Sequence, residues 1–169
     1  MGSEMCIRDR ADGAEASDAI ERASALKEAG SALFAAGSFD EAARTFQQAA
    51  VALGAAVPTR APRALREAAR AQRLALQLNS ARAFLSAGAW LDAVAAATKV
   101  LRVEPGSAKG LYRRAQAYAA LSQPHLAAID LETLVAAHPD NAPGGTLLAQ
   151  IRRSHPDDAR AAAEAVAQA

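Results

Sequence analysis

The chain has a single cysteine, Cys6, so neither a disulfide framework nor a thiolate zinc site is open to it. Aromatic residues make up only 4% of its 169 positions, so any core must be assembled from smaller side chains. Neither charge sign dominates: 19 Lys and Arg stand against 18 Asp and Glu, for a net charge of +1. No global field therefore draws the protein to nucleic acid or to a membrane surface, and neither is expected as a partner. No uninterrupted apolar run approaches the roughly 18–20 residues of a membrane span, and no signal peptide is recognisable, so a cytoplasmic location is expected. Signs of catalysis are missing as well. His125, His138 and His155 each adjoin a proline and make no metal-ligand spacing. Gly144-Gly145, after Pro143, reads as a kink or loose turn and not as a phosphate-binding loop. No catalytic residue, metal or cofactor is expected, and the chain reads as a non-enzyme.

What is present is alanine. It supplies much of a hydrophobic content of 51%, and it is the strongest helix former with the smallest apolar side chain. Closely packed helices follow, and the fold class is all-α. The opening ten residues, Met1 to Arg10, differ in composition from the alanine-rich sequence behind them and resemble a translated sequencing adapter. Residues 1–16 are accordingly expected to be disordered, with native sequence missing upstream.

The remainder repeats itself at a spacing of thirty-four. Ala81 matches Ala115, Phe84 matches Tyr118, Ala93 matches Ala127, Val100 matches Leu134 and Pro105 matches Pro139. Small residues let paired helices approach, larger ones fill the space a turn on, and the prolines close each unit. An earlier copy carries the same order at Gly30, Leu33, Ala42, Phe46 and Ala49. Gly37 ends its first helix, and Ser38-Phe39-Asp40-Glu41 reads as a capping box for its second. The spacing predicts helices over 18–36, 39–54, 62–87, 90–103, 108–121, 124–137, 143–153 and 157–167. Repeats fall at about 23–56, 74–107 and 108–141 within a domain of 17–155. An insert at 57–73 extends the next helix at its N-terminus. After Pro139 the repeat ends, leaving a capping helix at 142–155 and a helical tail at 156–169.

Three stretches carry a family resemblance: Leu26 to Phe34 (LKEAGSALF), Leu76 to Ala81 (LQLNSA) and Lys109 to Ala115 (KGLYRRA). They resemble the three tetratricopeptide repeats of co-chaperones, most of all the C-terminal repeat domain of large immunophilins, the FKBP-type peptidyl-prolyl isomerases. The resemblance covers about residues 22–153 and implies a right-handed superhelix of three helix-turn-helix repeats with a C-terminal capping helix. It also implies a concave groove that holds the Glu-Glu-Val-Asp tail of cytosolic heat-shock chaperones of the seventy- or ninety-kilodalton classes. In the family a carboxylate clamp does the holding, with Lys and Asn from repeat one, Asn from repeat two, and Lys and Arg from repeat three. This sequence supplies Lys27, Asn79, Lys109 and Arg113 at those positions, with Ser31 in place of the first Asn. A monomer is expected, as the C-terminal part of an immunophilin whose isomerase domain is absent from the chain.

The residue types suit that chemistry on their own account. Lys109 and Arg113 lie four apart on one helix face, with no acid three or four residues away, and an anion between them would relieve their repulsion. Arg offers a planar fork to a carboxylate, Lys a mobile point charge, and Asn a donor without charge. Phe34 and Leu85 are candidate apolar contacts for the tail's Val. Arg82, three residues after Asn79, stands where the family has a small residue; from sequence it either adds an anion contact or obstructs the groove. Arg63, Arg66, Arg70 and Arg73 form a basic stripe that reads as a solvated face. The competing expectation is a general repeat scaffold with a degenerate clamp, binding another protein's helix or internal peptide.

Overall fold

The turns between helices carry the repeat most plainly. Gly37 and Gly88 adopt left-handed backbone at φ 81° and 75°, and so does Ser122 at φ 57°. Each stops a helix with the same pair of hydrogen bonds. Ser38 N–H donates to Leu33 O at 3.0 Å and Gly37 N–H to Phe34 O at 3.1 Å. Ala89 N–H donates to Phe84 O at 2.9 Å, and Gln123 N–H to Tyr118 O at 2.9 Å, with Gly88 and Ser122 bonding to Leu85 O and Ala119 O. These bonds satisfy carbonyls that a helix end leaves open, and they turn the chain sharply into the next helix. The three turns are spaced by fifty-one and then thirty-four residues, as the side-chain pattern requires.

In a computed structural model, residues 2–168 are described, with side chains described from residue 11 onward. The fold is all-α among the described residues. The elements are α1 (Gly2–Ala35), α2 (Phe39–Ala56), α3 (Arg63–Ala87), α4 (Trp90–Leu101), α5 (Ala108–Ala120), α6 (Pro124–Ala137), α7 (Ala142–Ser154) and α8 (Pro156–Ala167). No helix among the described residues is long and apolar enough to cross a membrane. The chain divides into two compact units, Met1–Ala83 and Phe84–Ala169.

In the first unit α1 and α2 form an antiparallel hairpin. Gly30 lets them touch: a Cβ there would lie 2.8–3.0 Å from the Phe46 ring. The long α3 is pinned to both partners by hydrogen bonds. Ser80, fully buried, donates its hydroxyl to Ala43 O at 3.0 Å, and Gln72 Nε2 donates to Ser24 Oγ at 2.8 Å and to Ile20 O at 3.2 Å. Two expectations need correction here. Residues 11–16, assigned to a disordered leader, are helical within α1, and Ala16 is fully buried. Ala16, Ala19 and Ala23 repeat at helical spacing on one buried face, and Gly13 packs beside Pro62, so small side chains continue the contact upstream. Ser38 occupies the N-cap of α2 without making a side-chain cap bond. Its backbone N–H is already spent on α1, and Asp40 and Glu41 complement the helix dipole in its place.

The second unit is built around α5 and α6, with α4 packed on α5 and both α7 and α8 on α6. Leu101, Leu111, Ala115, Ala127, Leu131, Leu134, Leu148, Ile151, Ala159 and Ala162 share its core. The Gly144-Gly145 pair is not a loose turn but the first turn of α7, capped by Asn141, whose Oδ1 accepts from Gly144 N–H at 2.9 Å. Gly144 is buried because Leu134 leaves no room: a Cβ would come within 2.6 Å of Leu134 Cδ2. Gly110 stands in the same relation to Leu101, at 3.0 Å. Since α7 begins thirty-four residues after α5, the period reaches one helix beyond Pro139. The α8 segment packs on α6 through Ala159 and Ala162.

Candidate functional site

A pocket of about 180 Å³ opens on the first unit, lined by Ser31 and Phe34 of α1, Phe46 of α2, and Asn79 and Arg82 of α3. The helix pairing explains why these five meet. Ser31 follows Gly30, the close-approach point of α1 on α2, so the Phe46 ring that covers the glycine also forms one wall. Asn79 and Arg82 are three apart on α3, next to Ser80, whose bond to Ala43 O fixes that stretch against α2.

The polar groups of the pocket differ in what they offer. The Ser31 hydroxyl donates to Lys27 O at 2.8 Å, so its one proton is spent inside its own helix and toward a ligand it is an acceptor. The Asn79 side chain is half-buried and carries two amide donors. Arg82 is exposed, and its guanidinium carbon lies 4.3 Å from the centroid of the Phe34 ring. Phe34 is itself braced edge-on by Phe39, with centroids 5.0 Å apart. A guanidinium stacked on a ring face keeps its N–H groups directed outward in its own plane. Among the described residues no carboxylate is bonded to Arg82, and none lines the pocket. The pocket therefore presents one cation, one amide and two aromatic side chains to an incoming group.

No family model matches this chain, and no curated protein is similar to it.

Of the residues singled out from sequence, Ser31, Asn79, Phe34 and Arg82 meet in this pocket. Lys27 lies one turn before Ser31 on α1 and is exposed. Lys109 and Arg113 sit together on α5 in the second unit, the first exposed and the second half-buried. Leu85 also belongs to the second unit and is not among the pocket's lining residues. Phe46 was read from sequence as core. It is buried, and it also lines the pocket.

The basic stripe on α3 is exposed, as a solvated face should be, and part of it also lines a depression. Arg66, Arg70 and Arg73 line a depression of about 250 Å³ with Leu53, Val57, Pro58 and Thr59. These cations are engaged within the protein. Arg66 Nε donates to Ala61 O at 3.0 Å, the Arg73 guanidinium lies against Gly54, and Arg70 also has a partner. Arg63 pairs with Glu67 at 2.7 Å on the exposed side. Arg66 thus ties α3 to the segment that joins it to α2, and Arg73 packs against the end of α2.

One further charged pair escaped the sequence reading. Arg114 of α5 and Asp130 of α6 form a two-pronged bridge, Nε to Oδ2 at 2.8 Å and Nη2 to Oδ1 at 2.7 Å. The hydrogen bonds to Asp130 hold the guanidinium above its ordinary range, against the opposing effect of burial. Arg114 thus joins two helices, and its neighbour Arg113, at the position expected to meet a ligand, is also engaged within the protein.

Proposed function

We propose that this chain is a protein-interaction module of three tetratricopeptide-type repeats, docking the acidic Glu-Glu-Val-Asp tail of cytosolic heat-shock chaperones. The observation that carries the reading is the meeting of Ser31 and Asn79 in one pocket although forty-eight residues separate them. That is the pairing a carboxylate clamp asks of its first two repeats, and it survives an insert that displaces the period. The recurring turn at Gly37, Gly88 and Ser122 supports the repeat itself.

In this reading Lys27 and Asn79 supply first-unit donors, while Lys109 and Arg113 supply a pair in the second. A charge-assisted hydrogen bond contributes about 1.5–3 kcal/mol before the cost of ordering a flexible tail, so an affinity on the order of micromolar is expected. The module acts by holding the tail and has no chemistry of its own. The test is calorimetric titration with a Glu-Glu-Val-Asp peptide as free acid and as C-terminal amide. The acid should bind and the amide should lose most of the affinity. The Lys109→Ala, Arg113→Ala double variant should lose acid binding while its circular dichroism stays helical; unchanged binding would remove the clamp.

A second reading has an observation in its favour. The inward bond of the Ser31 hydroxyl leaves one clamp position without a donor, as in a repeat scaffold whose clamp has drifted. Such a scaffold would bind an internal segment or helix of its partner and would be indifferent to amidation of a tail.

A further inference from the structure

The geometry points to the first-unit pocket as a carboxylate subsite whose principal donor is Arg82, with Asn79 as second donor and the hydroxyl of Ser31 taking no part. It rests on the tail-docking reading only for the choice of peptide; the subsite itself is argued from the pocket.

Three observations converge. The first is a deficit: Ser31 gives its only proton to Lys27 O, so a carboxylate, which accepts and never donates, gains nothing from it. The second is a surplus nearby. Arg82 lines the same pocket, is bonded to no acid among the described residues, and is held in place by the Phe34 ring at 4.3 Å. Holding matters, because a free arginine loses much rotamer entropy on binding and a stacked one has already lost part of it. The third is the surroundings. Phe46 and Phe34 wall one side, which lowers the local dielectric and strengthens a charge-assisted bond made at their edge. No acidic residue lines the pocket to compete for the cation.

The ligand class follows: a carboxylate carried beside a modest apolar group, as at the end of a peptide. An amine would be repelled by Arg82, and a bulky rigid anion would not enter a space of about 180 Å³. Arg82 thus contributes contact and does not obstruct. With a cation at position 82 and no amide at position 31, binding should depend more steeply on salt than in a Ser31→Asn, Arg82→Ala double variant.

The test uses the full chain. In titrations with the free-acid Glu-Glu-Val-Asp peptide, Arg82→Ala should weaken binding about tenfold, the loss expected for one charge-assisted bond at a partly open site. Arg82→Lys should fall between, since it keeps the charge and loses the planar fork. Ser31→Asn should recover several-fold affinity in the Arg82→Ala background and little in the parent. Binding that is unchanged or tighter in Arg82→Ala would overturn the inference and make Arg82 an obstruction. A second readout does not depend on the chaperone-tail reading. Titration of ¹⁵N-labelled chain with N-acetyl-aspartate should shift the Arg82 Nε–H and Asn79 side-chain signals, and Arg82→Ala should abolish the Asn79 shift. If the peptide fails to bind while these signals move, the tail reading falls and the subsite stands. If they stay still, the subsite falls whatever the peptide does.

Discussion

Removing Arg114 should cost more stability than removing any other charged residue of the second unit. Asp130 is 3% exposed and keeps both oxygens on Arg114, at 2.7 and 2.8 Å. Cutting Arg114 back to alanine leaves a carboxylate between α5 and α6 with no cation to answer it. Breaking a buried pair from one side costs about 3–5 kcal/mol. The arginine side chain is 22% exposed, so water can reach the vacated position and the lower end, about 3 kcal/mol, is expected. Against a total on the order of 5–15 kcal/mol this is a large fraction. With a urea slope of about 1–3 kcal/mol/M, the midpoint should fall by roughly 1–3 M. Because the pair holds the Arg114 pKa up, its contribution is fully present at neutral pH and is lost only as pH rises into strong alkali, so the deficit should not change between about pH 6 and 9. The assay is urea denaturation followed by circular dichroism, run beside a variant with leucine at both 114 and 130. That double variant should recover most of the loss, since no uncompensated charge remains buried. A single variant within about 0.5 kcal/mol of the parent, or a double variant no better than the single, would refute the reasoning.

Three other substitutions test the packing and the turns. Gly30→Ala sets a methyl group 2.8–3.0 Å from a buried ring, so it should destabilise by about 1–3 kcal/mol and lower the thermal midpoint. Ser122→Gly should stabilise by several tenths to about 1 kcal/mol, because serine there pays for left-handed backbone at φ 57° that glycine adopts freely. Gly88→Ala, at φ 75°, should change stability by about the same amount with the opposite sign, and urea midpoints for the two compare directly.

Most helix boundaries were legible because this chain marks them with residues of narrow conformational use. Gly37 and Gly88 supply left-handed stops, Pro124 and Pro156 open helices at a first turn that needs no N–H, and the thirty-four-residue period ties the rest together. The failures had physical causes. The start of α1 was hidden by the foreign look of the opening residues, although Ala16, Ala19 and Ala23 already spelled a packing face. Gly144-Gly145 looked like a turn because two glycines weaken a helix, but the need here is for closeness to Leu134, and a capping Asn141 offsets the weakness. Arg114 and Asp130 are sixteen residues apart on different helices, a separation at which no local rule pairs them.

The candidate pocket divides along the same line. Ser31 and Asn79 come together in the sequence only through the clamp positions that the family resemblance implies. Register says nothing about where a hydroxyl proton goes or which face of a ring a guanidinium occupies. In the structure the Ser31 hydroxyl donates to Lys27 O within its own helix, and the Arg82 guanidinium lies over the Phe34 ring at the pocket. Positions 31 and 82 lie in one pocket, so under the proposed subsite they act on one ligand group and their effects on binding should not add. Non-additive effects of substitutions at positions 31 and 82 on carboxylate binding are what the proposed subsite requires, and strictly additive effects would count against it.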